Sequence, residues 1–188
     1  MCFDHWYWNY VSALQHALGS IKITMPFVST PLTLSATGSI IGSAWISGGI
    51  GALSISTIPA LLQSNAPTDG LVRAWYTQFS RSLYIPSTAV VAALNYSYLA
   101  YKHRSTGREW RGYAGGAVAN LLLLPFTLIL IVGINNTLIA SISSVRGSEV
   151  LSPTAAKQLI RRWGDLNFYR IFMPLAGAAL GLWNLLSD

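Results

Sequence analysis

The amino-acid sequence predicts an all-α membrane protein, an integral bundle of four transmembrane helices preceded by an interfacial N-terminal segment. Charged residues make up 10% of the 188 residues, against roughly 25% in soluble domains. Mean hydropathy is +0.45. Four long stretches hold no Asp, Glu, Lys or Arg: between Lys22 and Asp69, Arg81 and Lys102, Arg111 and Arg146, and Arg170 and Asp188. A surface helix of a soluble protein must show a charged face to water. A helix in lipid must exclude charge from its centre, where each one costs several kcal/mol.

A membrane-crossing helix needs about 20 mostly apolar residues. The spans that fit are roughly 36–60, 83–101, 114–138 and 168–186, within a four-helix domain covering residues 31–188. The last is the shortest, so Arg170 must reach toward the headgroups or turn into the bundle. Residues 1–30 form the interfacial segment. It opens MCFDHWYWNY, with an acid and aromatics where a signal peptide has basic and apolar runs, and clustered Trp and Tyr suit the membrane–water interface. Loop Lys and Arg fall about equally on the two sides of a four-span arrangement, which leaves the topology open. The net charge of +6 sits in short loops beside the spans and reads as contact with headgroups, not nucleic acid. Cys2 is the single cysteine, which excludes a disulfide framework and thiol–disulfide chemistry.

Along the first span, Ser35, Ser39, Ser43, Ser47 and Gly51 form one i, i+4 row, and Gly38 and Gly42 a neighbouring GxxxG pair. Such rows let helix backbones approach closely in lipid. Pro59 would kink or stop the span. Residues 63–82, with Arg73, Trp75, Tyr76 and Arg81, read as a loop lying along the interface. The second span starts near Tyr84 and Pro86, and the short basic loop KHRSTGREWR after it suits a cytosol-like face. In the third span Pro125 breaks the hydrogen-bond ladder, and Asn120, Asn135 and Asn136 carry amides that lipid cannot satisfy, so all three are expected to face inward. Ser152-Pro153 then reads as a helix start. In the following helix Trp163, Asn167 and Arg170 stand at i, i+4 and i+7 on one face.

The spans contain no Asp, Glu or His, so a carboxylate–histidine di-iron site has no ligands there. A bis-histidine haem would have to draw on His5, His16 or His103, all outside the spans, while a single axial His stays open. No phosphate-binding glycine loop is present, and spacing alone assembles no Ser–His–Asp set. The groups that remain are amides, phenols, indoles and one or two guanidiniums. They suit a flat, apolar, oxygen-decorated ligand, and they equally suit helices tied together by buried hydrogen bonds.

The stretches GIGALSISTIPALL, AWYTQFSRSLYIP, GINNTL and RRWGDLNFYR, in this order, resemble the anthrone oxygenase family, small four-span membrane proteins of polyketide pathways. The family's Asn-Thr-x-Leu element reads NNTLI here, through Asn136, Thr137 and Ile139, and its W-x-x-x-N-x-x-R stripe reads Trp163, Asn167 and Arg170. The likeness covers most of residues 33–186 and leaves residues 1–30 outside. It implies oxidation of the doubly benzylic methylene of an anthrone to the ketone of an anthraquinone. Molecular oxygen would be the co-substrate, with no added cofactor or metal, in a multi-pass protein of an endomembrane such as the endoplasmic reticulum. On that reading Arg170 is the electrostatic partner of the enolate oxygen, Asn136 and Asn167 are hydrogen-bond donors, and Trp163 is a stacking wall. Asn135, Arg81, Trp75, Tyr84 and Tyr76 are further substrate-binding candidates. No base stands out; His103 and the tyrosines are the candidates. A membrane enzyme of the same bundle acting on another phenolic or quinoid substrate, and a non-enzymatic scaffold or carrier, are the alternatives. Oligomeric state is left open.

Overall fold

The computed structural model describes residues 31–143 and 151–187. The interfacial segment expected at residues 1–30, with Cys2, His5 and His16, lies outside the described residues. Secondary structure among those described is helical throughout and forms four rods. The first comprises α1 (Pro31–Gly51), a π-helical turn (Ala52–Thr57) and α2 (Ile58–Gln63). The second is α3 (Thr68–Arg81) followed by α4 (Tyr84–Ser105). The third runs through α5 (Arg111–Leu121), α6 (Leu123–Phe126), a second π-helical turn (Thr127–Ile131) and α7 (Val132–Ser143). The fourth is α8 (Pro153–Arg170) and α9 (Phe172–Ser187). The first and third rods each pack on the second and the fourth, which closes a four-helix ring. The first and third are long and apolar enough to cross a membrane by themselves, over Pro31–Gln63 and Arg111–Ile142.

One sequence expectation changes here. Most of residues 63–82 form α3, where an interfacial loop was expected. Its buried face is Leu71, Val72 and Trp75, at the i, i+1, i+4 spacing of a helix stripe. Asp69 and Arg73 pair on its exposed side at 2.8 Å. The charges that exclude this stretch from lipid do not exclude it from helix.

Each rod departs from regular α-helix near a proline. A proline removes the hydrogen bond to the carbonyl four residues earlier. For Pro59, Pro86, Pro125 and Pro174 those carbonyls belong to Ile55, Ser82, Leu121 and Arg170. The irregularities fall there: the π turn at Ala52–Thr57, the break between Arg81 and Tyr84, the step at Leu122, and the step at Ile171. A Ser47 hydroxyl from the first rod donates to the Ile171 carbonyl at 3.0 Å. The four rods thus share a waist in which the backbone is locally opened.

Polarity is inverted relative to a soluble bundle. Ser39, Ser43, Ser47, Asn120, Asn167, Asn184 and Arg170 are buried, while Leu34, Ile41, Trp45, Leu94, Leu128, Ile129, Leu182 and Trp183 are exposed. The serine row meets a succession of partners. Asn95 donates to the Ser35 carbonyl at 3.0 Å and to the Ser39 hydroxyl at 2.7 Å. Asn120 donates to the Ser43 hydroxyl at 3.0 Å and to the Gly116 carbonyl at 2.9 Å. Asn184 accepts from the Gly112 N–H at 2.9 Å, one of the donors that a helix start leaves unpaired.

Candidate active site

A cavity of about 160 Å³ sits at the waist and draws its lining from all four rods. One wall is apolar: Leu53 of the first rod, Phe79, Leu83, Ile85 and Pro86 of the second, and Ile131 of the third. The other carries Thr127 and Asn135 from the third rod and Trp163, Asn167 and Arg170 from the fourth. Ser82 lies at the break of the second rod. Leu83, 56% exposed, marks the outer edge of the cavity.

The polar wall is a chain of hydrogen bonds with one sense. Arg170 Nη1 donates to Asn167 Oδ1 at 2.7 Å. Asn167 Nδ2 donates to the Trp163 carbonyl at 2.8 Å, and Trp163 Nε1 donates to Asn135 Oδ1 at 2.9 Å. The Thr127 hydroxyl donates to the Leu123 carbonyl and the Ser82 hydroxyl to the Phe79 carbonyl. Both asparagine oxygens therefore already accept from the protein. The donors left over are the Asn135 amide NH2 and the rest of the Arg170 guanidinium, while the Ser82 and Thr127 hydroxyls, their hydrogens committed to backbone carbonyls, keep acceptor lone pairs. Arg170 is 7% exposed, and its Nε is buried with no hydrogen-bond partner among the described residues. Among the described residues no carboxylate, imidazole, phenol or thiol stands in the lining. A buried cation with no partner charge is costly to the fold, and it is the arrangement that an anionic or carbonyl oxygen would complete.

Packing fixes this wall. Trp163 stands edge-on to Trp75, with ring centroids 5.9 Å apart at 89°, and Trp75 stacks on Phe79 at 5.4 Å. The fourth rod closes on the first at Gly164, where a methyl group would lie 2.8 Å from Ile58 Cγ2. Trp75 is buried beneath the cavity, and its Nε1 finds no hydrogen-bond partner among the described residues.

The structure brings Arg170, Asn167, Trp163 and Asn135 together at the cavity and places the other candidates apart. Asn136, expected to face inward, is exposed. The buried stripe of this helix is Ile134, Asn135 and Leu138, and a further step of about 100° beyond Asn135 turns Asn136 out of it. Arg81 is exposed at the end of α3, and Tyr76 and Tyr84 are 42% and 45% exposed. His103 is buried at the far end of α4, edge-on to Tyr113 with centroids 4.9 Å apart. It stands about 25 Å along that helix from Pro86, at 1.5 Å per residue. Asn135→Ala should therefore slow turnover far more than Asn136→Ala, a difference that steady-state rates of the two variants measure directly. Of the apolar wall only Pro86 is named from the sequence, as the start of the second span, and none of its residues is a site candidate there.

A family model described as anthrone oxygenase matches residues 73–180, more than half of the chain. The chain belongs to that family. The matched segment of this anthrone oxygenase carries every lining residue except Leu53. Its relatives include the anthrone oxygenase nsrD of Aspergillus novofumigatus, 31% identical across 82% of this chain and 94% of its own. The anthrone oxygenase AgnL2 of Paecilomyces divaricatus is 30% identical across 85% of this chain and 100% of its own. The monooxygenase hypC of Dothistroma septosporum is 29% identical across 76% of this chain and 78% of its own. No solved structure matches the chain. The resemblance read from the sequence is borne out, and the protein is an oxygenase.

Proposed function

We propose that the waist cavity is where this oxygenase converts the methylene of an anthrone-type polycyclic polyketide to a quinone carbonyl, in a multi-pass bundle of an endomembrane. The observation that carries the reading is a pair of available donors, the Asn135 amide and a buried Arg170 with no carboxylate beside it among the described residues. An anthrone that loses a methylene proton becomes a fully aromatic enolate, with its charge on the oxygen across the central ring. Arg170 and the Asn135 amide suit that oxygen, and because they are already oriented they favour the ionised form. Among the described residues no base lines the cavity, so these residues contribute by raising the acidity of the bound substrate, and the proton leaves to water at the mouth.

The remaining chemistry balances without an external reductant, which supports a cofactor-free reaction. The enolate passes one electron to molecular oxygen, and the radical pair joins at the methylene carbon as a hydroperoxide. Loss of the second methylene proton breaks the O–O bond, forming the carbonyl and releasing water. One O2 is consumed per quinone, and the substrate supplies all four electrons. The apolar wall of Leu53, Phe79, Ile85 and Ile131 suits dissolved oxygen and keeps bulk water from the hydroperoxide.

The outer shell of Leu, Ile and Trp, with Ser, Asn and Arg170 turned into the core among its apolar residues, supports insertion of the bundle in lipid. The second rod's α4 alone matches the roughly 30 Å hydrocarbon thickness. A bundle seated with α4 across the hydrocarbon would hold the break at its Tyr84 end, and with it the cavity, near the membrane interface, where a flat phenolic substrate partitions. Small-molecule sites span roughly 300–1,000 Å³, so the 160 Å³ cavity must open for a tricyclic ring, with Leu83 and Phe79 moving outward at the broken second rod.

The test is oxygen uptake by detergent-purified protein given 1,8-dihydroxyanthrone under ¹⁸O2, with a metal chelator present. One O2 per quinone and one ¹⁸O in the new carbonyl are expected. No acceleration over spontaneous oxidation would exclude this substrate class, and activity abolished by chelation would exclude the cofactor-free route.

A further inference from the structure

An asparagine amide presents either its oxygen or its NH2 to a cavity, and the two differ by a half-turn about one bond. For an anionic ligand the choice is between repulsion and two donated hydrogen bonds. At Asn135 the indole of Trp163 makes the choice. Indole Nε1–H only donates, so it fixes the oxygen of Asn135 toward itself, at 2.9 Å. The bond is shielded, with Trp163 2% and Asn135 7% exposed. The indole has no freedom to swing, because Trp75 abuts its face or edge and the fourth rod is clamped to Ile58 at Gly164.

We propose that Trp163 is a positioning residue acting through Asn135: it holds the amide with its NH2 directed into the cavity, so that Asn135 and Arg170 together offer only donors. The proposal rests on the function reading above and narrows its substrate class. The site accepts ring systems with adjacent carbonyl or phenolate oxygens along one edge, as in a 1,8-dihydroxy-9-ketone. It disfavours isosteres that place an amino or other donor group there, because a donor would face a donor.

The experiment is a double-mutant cycle on the full chain in detergent. Wild type, Trp163→Phe, Asn135→Ala and the double variant are compared by kcat/KM for 1,8-dihydroxyanthrone and by Kd for its quinone, 1,8-dihydroxyanthraquinone. Trp163→Phe keeps an aromatic ring but removes the donor together with part of the indole bulk, and the donor's share should lower kcat/KM about five- to tenfold, the scale of one neutral hydrogen bond. In the Asn135→Ala background the same change should cost less by that roughly five- to tenfold share, because the group the donor orients is gone and only the packing cost remains. Asn135→Asp leaves an acceptor for the indole but turns a carboxylate oxygen to the ligand, and should lower activity more than Asn135→Ala does. An equal Trp163→Phe loss in both backgrounds would show the indole acting on the ligand itself and overturn the proposal. So would Asn135→Asp tolerated as well as Asn135→Ala, a result that does not depend on the indole variant folding. If the wild type turns over the anthrone and the cycle is additive, only the positioning role falls. If the wild type neither oxidises the anthrone nor binds its quinone, the substrate reading falls with it.

Discussion

Replacing Arg170 with alanine is expected to lower kcat/KM for 1,8-dihydroxyanthrone about 10²–10³-fold, the cost of losing a pre-aimed donor to a developing oxyanion. The thermal midpoint of the purified protein should stay unchanged or rise. The two outcomes come from one feature. Arg170 is buried, is held by a single hydrogen bond to Asn167, and has an Nε without a partner among the described residues. Burying such a charge costs several kcal/mol unless it is paired, so the folded protein without substrate gains little from it. A residue that weakens the fold while completing a cavity is best explained by what the cavity binds. Arg170→Lys keeps the charge but loses the planar fork, and should fall between wild type and alanine. Thermal unfolding and oxygen uptake on the same preparations check both parts. If Arg170→Ala loses stability and activity in parallel, Arg170 ties helices together, and the enolate role assigned to it is wrong.

The four helices were legible because lipid imposes a simple demand, long uncharged runs, and the sequence has four. The inward serine row was legible as well: Ser39, Ser43 and Ser47 are buried, at the i, i+4 spacing that puts them on one face. The stripe of Trp163, Asn167 and Arg170 lies on the regular helix α8, where spacing translates directly into direction. The third rod was harder. Its π turn at Thr127–Ile131 adds a residue to one helical turn. Even so, at about 100° per residue an unbroken helix would set Asn135 about 60° and Asn136 about 160° from Asn120, and the structure likewise buries Asn135 and exposes Asn136. Nominating both asked more of one helix face than its spacing allows. His103 was a reasonable base by type, but only the fold places it at the opposite end of α4. The apolar wall consists of ordinary hydrophobic residues, which acquire meaning only from the breaks that bring them together.

The glycines make the same point and lead to the second large effect. Gly38 and Gly42 were the evident GxxxG pair, yet neither has any atom within 4 Å of where a Cβ would stand. They lie a residue out of phase with the buried serines. The close contacts lie at two further GxxxG pairs: Gly112 and Gly116 of the third rod meet the fourth at Leu180, Asn184 and Gly177, and Gly177 and Gly181 of the fourth meet the third at Gly116 and Asn120 and the second at Tyr96. A methyl group on Gly112 would stand 2.6 Å from the Leu180 carbonyl oxygen and 2.7 Å from Asn184 Cβ. One on Gly181 would stand 2.5 Å from the Tyr96 hydroxyl and 2.6 Å from its ring, and one on Gly177 would meet the Asn120 amide. These neighbours cannot give way cheaply. Leu180 contributes backbone, Tyr96 is fully buried, and the Asn120 amide is engaged with Ser43 and Gly116. Gly112→Ala and Gly181→Ala should therefore each destabilise the bundle by about 1–3 kcal/mol, the range for forcing extra volume into a filled core. Both should lower the thermal midpoint in detergent, whereas Gly38→Ala and Gly42→Ala should leave it within experimental scatter. In lipid the interhelical contact cannot draw on a hydrophobic drive and relies on close approach and hydrogen bonds, so even one methyl group separates the rods. Gly112→Ala also pushes against Asn184, which accepts from the Gly112 N–H at 2.9 Å; its loss should exceed that of Gly116→Ala, where the nearest atom is 3.2 Å away. If Gly38→Ala proved as damaging as Gly112→Ala, the outward face of the first rod would itself be a packed surface, and the ring of four rods would be incomplete as described.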